Sequence, residues 1–264
     1  MKLNILDRIV SDKRREIASK KNILPLGFIK ESPLMKRKTM SLSNSIKSGS
    51  GVIAEFKRRS PSKQVINHKS SIIDVVKDYA ASEVSGISVL TDTKYFGGAL
   101  DDLIQARNHV NIPLLRKEFI IDTYQIYESK AYGADAILLI AAVLKPEEIF
   151  SFSQLAHALD LEVLLEIHNR EELDKSDLTY IDMVGVNNRN LKTFEVSLQT
   201  SMELSSKIPD NKVKISESGI SSIASIKQLK NYGYSGFLIG ENFMRTDDPG
   251  KAVVEFIKAL TNEN

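Results

Sequence analysis

Charged residues that can act as acids and bases stand at the ends of three separate apolar runs of the sequence. Glu55 and Lys57 end one run, Lys117 ends another and Glu166 ends a third. A carboxylate and an ammonium group in one cavity tune one another's pKa and can exchange protons with a substrate. Charged groups at the C-terminal ends of parallel strands point into the crevice where barrel and doubly wound enzymes bind substrate. The pattern therefore predicts an active site built from strand ends.

The spacing of these residues gives them a common direction. Side chains two residues apart on a strand face the same side, so Glu55 and Lys57 point together. Lys117 and Glu166 each follow an inward-facing leucine by two residues. Any one of the four is explained equally well as a surface charge or a structural ion pair at a strand end. Because three runs agree in phase, we expect the four side chains to converge at one mouth.

The elements that must position these residues follow from an alternation of short apolar runs and amphipathic segments, which is typical of repeated βα units. The apolar runs are residues 52–57, 86–91, 112–117, 134–140, 161–166, 183–187, 212–216 and 236–240. Between successive runs the chain is long enough for one crossover helix. No Gly-x-Gly-x-x-Gly follows the first run, which disfavours a dinucleotide-binding fold. Eight such units predict a closed (β/α)8 TIM barrel.

An extra helix is predicted before the barrel. Its apolar face has three- and four-residue spacing and consists of Leu6, Ile9, Val10, Lys13 and Ile17. The chain has 264 residues, close to the roughly 250 of a single barrel. We therefore predict one barrel domain over residues 1–264, with residues 1–50 as an N-terminal helical extension.

Composition narrows the class of protein. The formal net charge is only +2, so overall charge indicates neither a nucleic-acid nor a membrane partner. The sequence has no cysteine, which excludes disulfides and a cysteine nucleophile and is compatible with a reducing compartment. The start of the sequence lacks an apolar stretch long enough for a signal peptide or a membrane span. We expect a soluble, cytoplasmic protein.

Two junctions containing glycine follow the seventh and eighth runs. Ser218 and Gly219 lie in the first, and Gly240 and Glu241 lie in the second, ahead of a short helix predicted to begin at Asn242. Loops at these two positions form the usual phosphate site of a barrel, because glycine lets a ligand approach backbone N–H groups. The glycines alone are also compatible with simple turns. Together the loops predict a phosphorylated substrate.

Characteristic segments occur in order along nearly the whole chain. They are residues 55–63 (EFKRRSPSK), 90–92 (LTD), 95–98 (YFGG), 116–122 (RKEFIID), 185–191 (GVNNRNL) and 216–220 (SESGI), with 5–10 and 240–245 at the two ends. These segments resemble the successive signatures of the indole-3-glycerol-phosphate synthase family. The resemblance implies a carbon–carbon lyase of tryptophan biosynthesis. It would close 1-(2-carboxyphenylamino)-1-deoxyribulose 5-phosphate to indole-3-glycerol phosphate, losing carbon dioxide and water without a metal or organic cofactor.

The resemblance also implies roles for the polar residues. Lys117 would be the general acid of ring closure, and Glu166 would be the acid–base partner in later steps. Lys57 would bind the side of the departing carboxylate, while Glu55 orients the lysines and Asn187 holds a substrate hydroxyl. Which lysine acts at which step is left open.

Further positions map to contacts with the substrate and its phosphate. They are Ser60, Phe119, Leu138, Arg189, Ser218, Gly219, Leu238, Gly240 and Glu241. Phe119 and Leu138 would form an apolar wall around the anthranilate ring, although ordinary barrel packing explains such residues as well. Glu241 would contact the phosphate through its backbone N–H group.

Two stretches depart from the family pattern. Residues 64–69 (QVINHK) replace an expected glycine and the acidic or proline-rich segment after it, and Glu118 replaces the more usual aspartate. Neither change removes a candidate catalytic group. We expect the loop 60–70 to be mobile and to close over the substrate. The histidines lack metal-ligand spacing, and the sequence favours a structural or solvent role for His168.

Two other functions are compatible with parts of the pattern. Phosphoribosylanthranilate isomerase, another phosphate-binding barrel of the same pathway, would depend on a Cys and Asp pair, and this chain has no cysteine. A non-catalytic barrel that binds a phosphorylated metabolite would not need the four charged residues at the strand ends. Association with other enzymes of tryptophan biosynthesis is left open.

Overall fold

Eight parallel strands form the centre of the protein in the computed structural model, which describes residues 5–191 and 193–262. The strands are β1 (Val52–Phe56), β2 (Gly86–Leu90), β3 (Leu114–Lys117), β4 (Ala136–Ile140), β5 (Glu162–Ile167), β6 (Met183–Asn187), β7 (Val213–Glu217) and β8 (Gly236–Ile239). Each pairs with the next in the sequence, and β8 pairs with β1 to close the barrel. The predicted TIM barrel is confirmed.

Helices surround the barrel and precede it. Before β1 the chain forms α1 (Ile5–Ile23), α2 (Leu26–Lys30), a 3-10 helix (Pro33–Lys36) and α3 (Leu42–Ser48). After β1 it forms α4 (Ile72–Ala81), α5 (Thr93–Phe96), α6 (Leu100–His109), α7 (Thr123–Ala131), α8 (Pro146–Ala158), α9 (Arg170–Asp174), α10 (Gln199–Ser205), α11 (Ile223–Lys230), α12 (Glu241–Met244) and α13 (Pro249–Asn262). The extra N-terminal helix is confirmed, whereas the single-domain boundary of 1–264 stays a prediction. No helix in the described part of the chain is long and apolar enough to cross a membrane.

More than half of the strand ends differ from the predicted ones, by one or two residues each. The largest consequence is in β7, which continues to Glu217 instead of stopping at residue 216, because Glu217 pairs with Asn187 on one side and Leu238 on the other. The short helix α12 likewise begins at Glu241 rather than at Asn242. The end of an apolar run does not show where the backbone pairing between strands ends. A polar residue that still pairs with its neighbours therefore falls outside the strand predicted from the run.

Alternation along the strands sorts the side chains into two apolar layers. The layer inside the barrel includes Ile53, Leu115, Leu164 and Ile215, and α3 adds apolar side chains to it. The other layer lies between the strands and the surrounding helices. Because the period of a strand is two, the residues that follow these four inner positions by two also point inward. The expected direction of the strand-end charges follows from this packing.

A buried lysine of helix α1 forms ion pairs with the barrel. The side chain of Lys13 is 2% exposed, and its Nζ atom lies 2.9 Å from Oδ2 of Asp92 and 3.1 Å from Oε1 of Glu118. Asp92 caps α5 after β2, and Glu118 follows directly on β3. Lys13 therefore connects the N-terminal helix to two loops at the mouth of the barrel.

Candidate active site

A cavity of about 400 Å³ opens at the C-terminal ends of the strands. Its lining contains every site residue predicted from the sequence: Glu55, Lys57, Ser60, Lys117, Phe119, Leu138, Glu166, Asn187, Arg189, Ser218, Gly219, Leu238, Gly240 and Glu241. Strand ends supply the charged groups, and the loops that follow supply the glycines. The structure thus brings the predicted residues together at one place, while their roles stay predictions.

Lys117 stands between two carboxyl groups. Its Nζ atom donates a hydrogen bond to Oε2 of Glu166 at 3.0 Å, and it also donates to Oε2 of Glu217. All three residues belong to strands β3, β5 and β7, so alternate strands of the barrel deliver them to one level. Both glutamates are buried. The ammonium group is therefore shared by two carboxyls in a water-poor environment.

This arrangement shifts all three pKa values. Burial by itself disfavours the ammonium, but the charges of Glu217 and Glu166 outweigh it and raise the pKa of Lys117 above its ordinary value. Burial likewise opposes ionisation of Glu166, but Lys117 and His168 hold its pKa below the ordinary value. Burial raises the pKa of Glu217 and the charge of Glu166 adds to the rise, so that against the attraction of Lys117 the pKa is about 7. Near neutral pH the cluster holds a proton that its members can exchange.

Glu217 is the functional residue that the sequence reasoning missed. It follows the inner residues Val213 and Ile215 in phase, so the rule that found Glu166 would have found it in a run extended by one residue. Its Oε1 atom is buried and makes no hydrogen bond to another described residue. Gly185 on β6 provides the space, because a Cβ atom there would lie 2.2 Å from that oxygen.

The second acid–base pair lies on β1. Nζ of Lys57 donates a hydrogen bond to Oε1 of Glu55 at 2.7 Å, and the hydroxyl of Ser88 donates to Oε2 of the same carboxylate at 3.4 Å. Glu55 is buried, whereas the side chain of Lys57 is 17% exposed. The carboxylate is held from two sides, and the lysine extends from it toward the opening.

Asn187 and Arg189 end β6 and begin the loop after it. Oδ1 of Asn187 accepts a hydrogen bond from the backbone N–H of Arg189 at 3.0 Å, which leaves its amide group free to donate. The Arg189 guanidinium donates to the backbone oxygen of Phe194 at 3.2 Å. An amide donor and a cation thus stand side by side on the cavity wall.

One wall of the cavity is apolar. The rings of Phe96 and Phe119 lie with their centroids 5.9 Å apart, and Leu138 lines the same cavity from inside the barrel. Leu6 and Ile9 of α1 also contribute to the lining, which the sequence did not predict. An apolar wall facing charged groups suits a substrate with an aromatic ring and anionic substituents.

The glycine-containing loops lie at the other end of the cavity. Ser218 and Gly219 have positive φ angles of 68° and 76°, so the chain turns sharply after β7. Gly240 is the N-cap of α12. The carboxylate of Glu241 pairs with Nζ of Lys63 at 3.0 Å. Because that side chain is already paired, an anion here would meet Glu241 through its backbone, and this contact stays a prediction.

The loop 60–70 lies over this end of the cavity. Ser60 and Lys63 form a short bridge, and the side chain of Asn67 donates to the backbone oxygen of Met244 at 3.0 Å. Ser60 lines the cavity together with its neighbours in the loop. Contacts at both ends of the loop position it for closure, and its mobility stays a prediction.

Substitution of the two loop glycines should weaken substrate binding. A Cβ atom at Gly219 would lie 2.4 Å from Cγ1 of Val196, and one at Gly240 would lie 2.7 Å from Oε1 of Glu55. We expect Gly219→Val to raise the Kd of a phosphorylated substrate analogue about tenfold or more in titration calorimetry, a loss of about 1.4 kcal/mol. Gly240→Val should also lower kcat, because it displaces Glu55.

The matched control for these variants is Gly27→Val, since a Cβ atom there meets no heavy atom within 4 Å. That variant should bind the analogue as the wild type does. Circular dichroism checks that both loop variants are folded. If both are folded and bind the analogue with unchanged affinity, the phosphate does not bind at this end of the cavity.

The raised pKa of Glu217 predicts a pH-dependent cost to stability. The unfolded chain loses this proton near the ordinary value of 4.5, before the folded protein does near 7. The contribution of Glu217 is therefore fully present below 4.5 and is lost as the pH rises through 7. Glu217→Gln removes this titration, so the variant should gain stability relative to the wild type as the pH rises. We expect its free energy of unfolding, relative to that of the wild type, to be about 1–3 kcal/mol higher at pH 8 than at pH 5.

Urea unfolding at the two pH values measures this difference. Glu255→Gln, on an exposed part of α13, is the matched control. A Glu217→Gln variant whose stability relative to the wild type is the same at pH 5 and pH 8 would contradict the assignment of the proton to Glu217.

The site offers acid–base groups and anion-binding groups. Among residues 5–191 and 193–262, no group of three or more His, Asp or Glu residues stands where it could hold a metal ion. The four histidines are spread over the chain, and His168 alone lies beside the cavity charges. The chemistry described below uses the side chains themselves.

The closed (β/α)8 barrel with lysines and carboxylates at the C-terminal strand ends defines a barrel enzyme of the acid–base type. Its fold is shared with thiamine phosphate pyrophosphorylase from Pyrococcus furiosus, with a TM-score of 0.61 and 13% sequence identity over 84% of this chain and 98% of that one.

Sequence comparison gives the family. Residues 6–256 match the family described as indole-3-glycerol phosphate synthase. A relative of that name from Bacteroides thetaiotaomicron is 45% identical over 97% of this chain and 99% of its own length. Another from Delftia acidovorans is 41% identical over 96% and 98%. The chain belongs to the indole-3-glycerol phosphate synthase family, as its motifs indicate.

Proposed function

We propose that the cavity converts 1-(2-carboxyphenylamino)-1-deoxyribulose 5-phosphate to indole-3-glycerol phosphate with the residues described above. The observation that carries this proposal is the position of Lys117 between Glu166 and Glu217, in a cavity that is also lined by the apolar side chains Phe119 and Leu138. The reaction forms one carbon–carbon bond and releases carbon dioxide and water. Bond formation, loss of carbon dioxide and loss of water each require an acid, a base or a cation, and the cavity contains such groups.

Ring closure needs an acid at the ketone oxygen of the substrate. The aromatic carbon that bears the carboxylate attacks the ketone carbon, and negative charge develops on the ketone oxygen. Lys117 supports this step because its raised pKa keeps it protonated at neutral pH. Its ammonium group stabilises the oxygen and donates the proton. Lys57, the more exposed of the two lysines, suits the carboxylate that then leaves as carbon dioxide.

Loss of water needs an acid for the departing hydroxyl and a base for the proton that is lost with it. Glu166 suits the base because its pKa is held low, and either lysine can supply the proton to the hydroxyl. Glu217, with its raised pKa, is a neutral partner that can take up and return a proton between steps. Asn187, which lines the same cavity, would hold a hydroxyl of the sugar chain.

The remaining residues would place the substrate. Ser218, Gly219, Gly240 and Glu241 form the end of the cavity that suits the phosphate, with the Arg189 guanidinium on the wall beside them. The anthranilate ring would lie against the wall that contains Phe119, Leu138 and Leu238. With its two ends fixed, the substrate must fold toward the lysines, which favours the reactive conformation.

We also propose that the enzyme works in the cytoplasm and that it can associate with other enzymes of tryptophan biosynthesis. Co-purification from cells grown without tryptophan tests the association. The loops that carry Lys63 and Glu241 surround the opening of the cavity. A partner enzyme that contacts these loops would therefore have to leave the opening accessible to substrate.

Growth without tryptophan tests the proposed function in cells. A bacterial strain that lacks its own indole-3-glycerol phosphate synthase should grow on minimal medium when it expresses this chain. The same strain expressing Lys117→Ala at an equal level should not grow. Failure of the wild-type chain, present and folded in the cells, would contradict the proposal.

A further inference from the structure

His168 lies behind the catalytic cluster and has no part in the steps above. It follows β5 directly, and its side chain is 10% exposed. Nδ1 lies 3.1 Å from Oε2 of Glu172, and Nε2 lies 3.5 Å from Oε1 of Glu166. The backbone N–H of His168 donates to the same Glu172 oxygen at 2.9 Å. The ring is therefore fixed at one nitrogen, and the other, which makes no hydrogen bond to a described residue, lies within ion-pair distance of a candidate catalytic carboxylate.

The two oxygens of Glu166 face different cations. Oε2 accepts from Lys117 at 3.0 Å, and Oε1 faces His168. Glu217 shares Lys117 with Glu166, but its other oxygen, Oε1, makes no hydrogen bond to a described residue. Both carboxyls are buried, and Glu166 differs from Glu217 in facing the imidazole and the side chain of Asn187.

Four elements supply the groups that face His168 and Glu166. They are Lys117 on β3, Asn187 on β6, Glu217 on β7 and Glu172 on α9, and Glu55 on β1 acts in turn on Lys117 and Glu217. Burial disfavours the imidazolium, yet the hydrogen bond to Glu172 and the charge of Glu166 raise the pKa of His168 above its ordinary value. A cationic ring at this place stabilises the charged form of the carboxylate that it faces.

We propose that His168, held by Glu172, is a positioning residue that fixes the Glu166 carboxylate and directs the shared proton to Glu217, so that Glu166 is the base of the pair. This inference rests on the proposed function for its catalytic meaning. An ordinary structural explanation also exists, because Glu172 forms hydrogen bonds with Asn169, the N-cap of α9. In that case His168 would only anchor the turn after β5.

The pH dependence of kcat separates the two explanations. His168→Gln keeps an amide donor near Glu166 but removes the charge, whereas His168→Asn is too short to reach Glu166. We expect the acidic limb of the kcat profile to move upward by about one pH unit in both variants. Because the pKa of Glu166 lies below its ordinary value of 4.5 in the wild type, the loss of kcat would approach tenfold only at about pH 4 and would be small at pH 8.5, and it would be larger for His168→Asn.

The matched control is His157→Gln, since His157 lies on α8 and pairs with Asp182 at 2.9 Å, away from the cavity. Its profile should coincide with that of the wild type. A His168 variant that loses kcat equally at all pH values, or whose profile does not move, would overturn the proposal and leave the structural explanation.

A measurement without turnover keeps the inference separate from the proposed function. Proton NMR of the His168 ring should give a pKa above the ordinary value in the wild type and a lower one in Glu166→Gln. If His168 titrates identically in both proteins, the coupling does not exist and the proposal fails. If the coupling is present but the wild type makes no product, the proposed function fails while the contact between His168 and Glu166 stands.

Discussion

Replacement of Lys117 by alanine should lower kcat by about 10²–10⁴-fold, the usual effect of losing a general acid. The variant loses the ammonium group that lies between Glu166 and Glu217 and that would donate to the ketone oxygen. Two facing carboxyls without a cation would share a proton more strongly, so the remaining base would be weakened as well. The fold should survive, because protonation of one carboxyl relieves their repulsion.

Steady-state kinetics with the purified variant measures this effect, and circular dichroism checks the fold. Lys251→Ala is the matched control, since that lysine is 71% exposed on α13. The control should retain wild-type kcat and KM. A Lys117→Ala enzyme within tenfold of the wild type would remove Lys117 from the role of general acid.

Replacement of Lys13 by methionine should lower the free energy of unfolding by about 3–5 kcal/mol, the typical cost of removing one partner from a buried ionic cluster. The Nζ atom of Lys13 lies within 3.1 Å of Asp92 and Glu118, both almost fully buried. It also lies 2.8 Å from Glu16 on its own helix. Methionine fills a similar volume but removes the shared cation, so that Glu118 keeps only the more distant Arg116, at 3.7 Å, as an ion-pair partner.

Urea unfolding at neutral pH measures the loss. Lys94→Met is the matched control, because Lys94 is 66% exposed in its ion pair with Asp12 and such pairs contribute about 0–1 kcal/mol. A loss below about 1 kcal/mol for Lys13→Met would show that α1 is held to the barrel by its apolar face instead.

The sequence predicted the barrel and most of the site because both depend on a short period. Alternation along each strand fixes which residues point inward, so Glu55, Lys117 and Glu166 were found from their phase alone. Glu217 follows the same alternation, but the apolar run indicates a strand that ends at residue 216. A polar residue at a strand end resembles the start of a loop, so the sequence did not predict Glu217 as a site residue. The roles of these residues came from the family resemblance and not from their pattern.

Contacts across long sequence separations were not predictable. The face of α1 was recognised, but nothing local indicates that Leu6 and Ile9 line the cavity or that Lys13 reaches Asp92 and Glu118. The position of His168 near Glu166 also depends on how the chain turns after β5, which the hydrogen bonds of Glu172 determine. Such features need the tertiary structure because they join elements that are far apart in the sequence.

Indole fluorescence during turnover tests the central claim most directly. Purified wild-type protein is mixed with 1-(2-carboxyphenylamino)-1-deoxyribulose 5-phosphate, and the emission of the indole product is followed with time. Phosphoribosylanthranilate, the substrate of the alternative barrel enzyme phosphoribosylanthranilate isomerase, serves as the control in a parallel sample. We predict that fluorescence rises with the first compound at a rate proportional to enzyme concentration and does not rise with the second. A folded protein that binds the first compound without any rise in indole fluorescence would contradict the account.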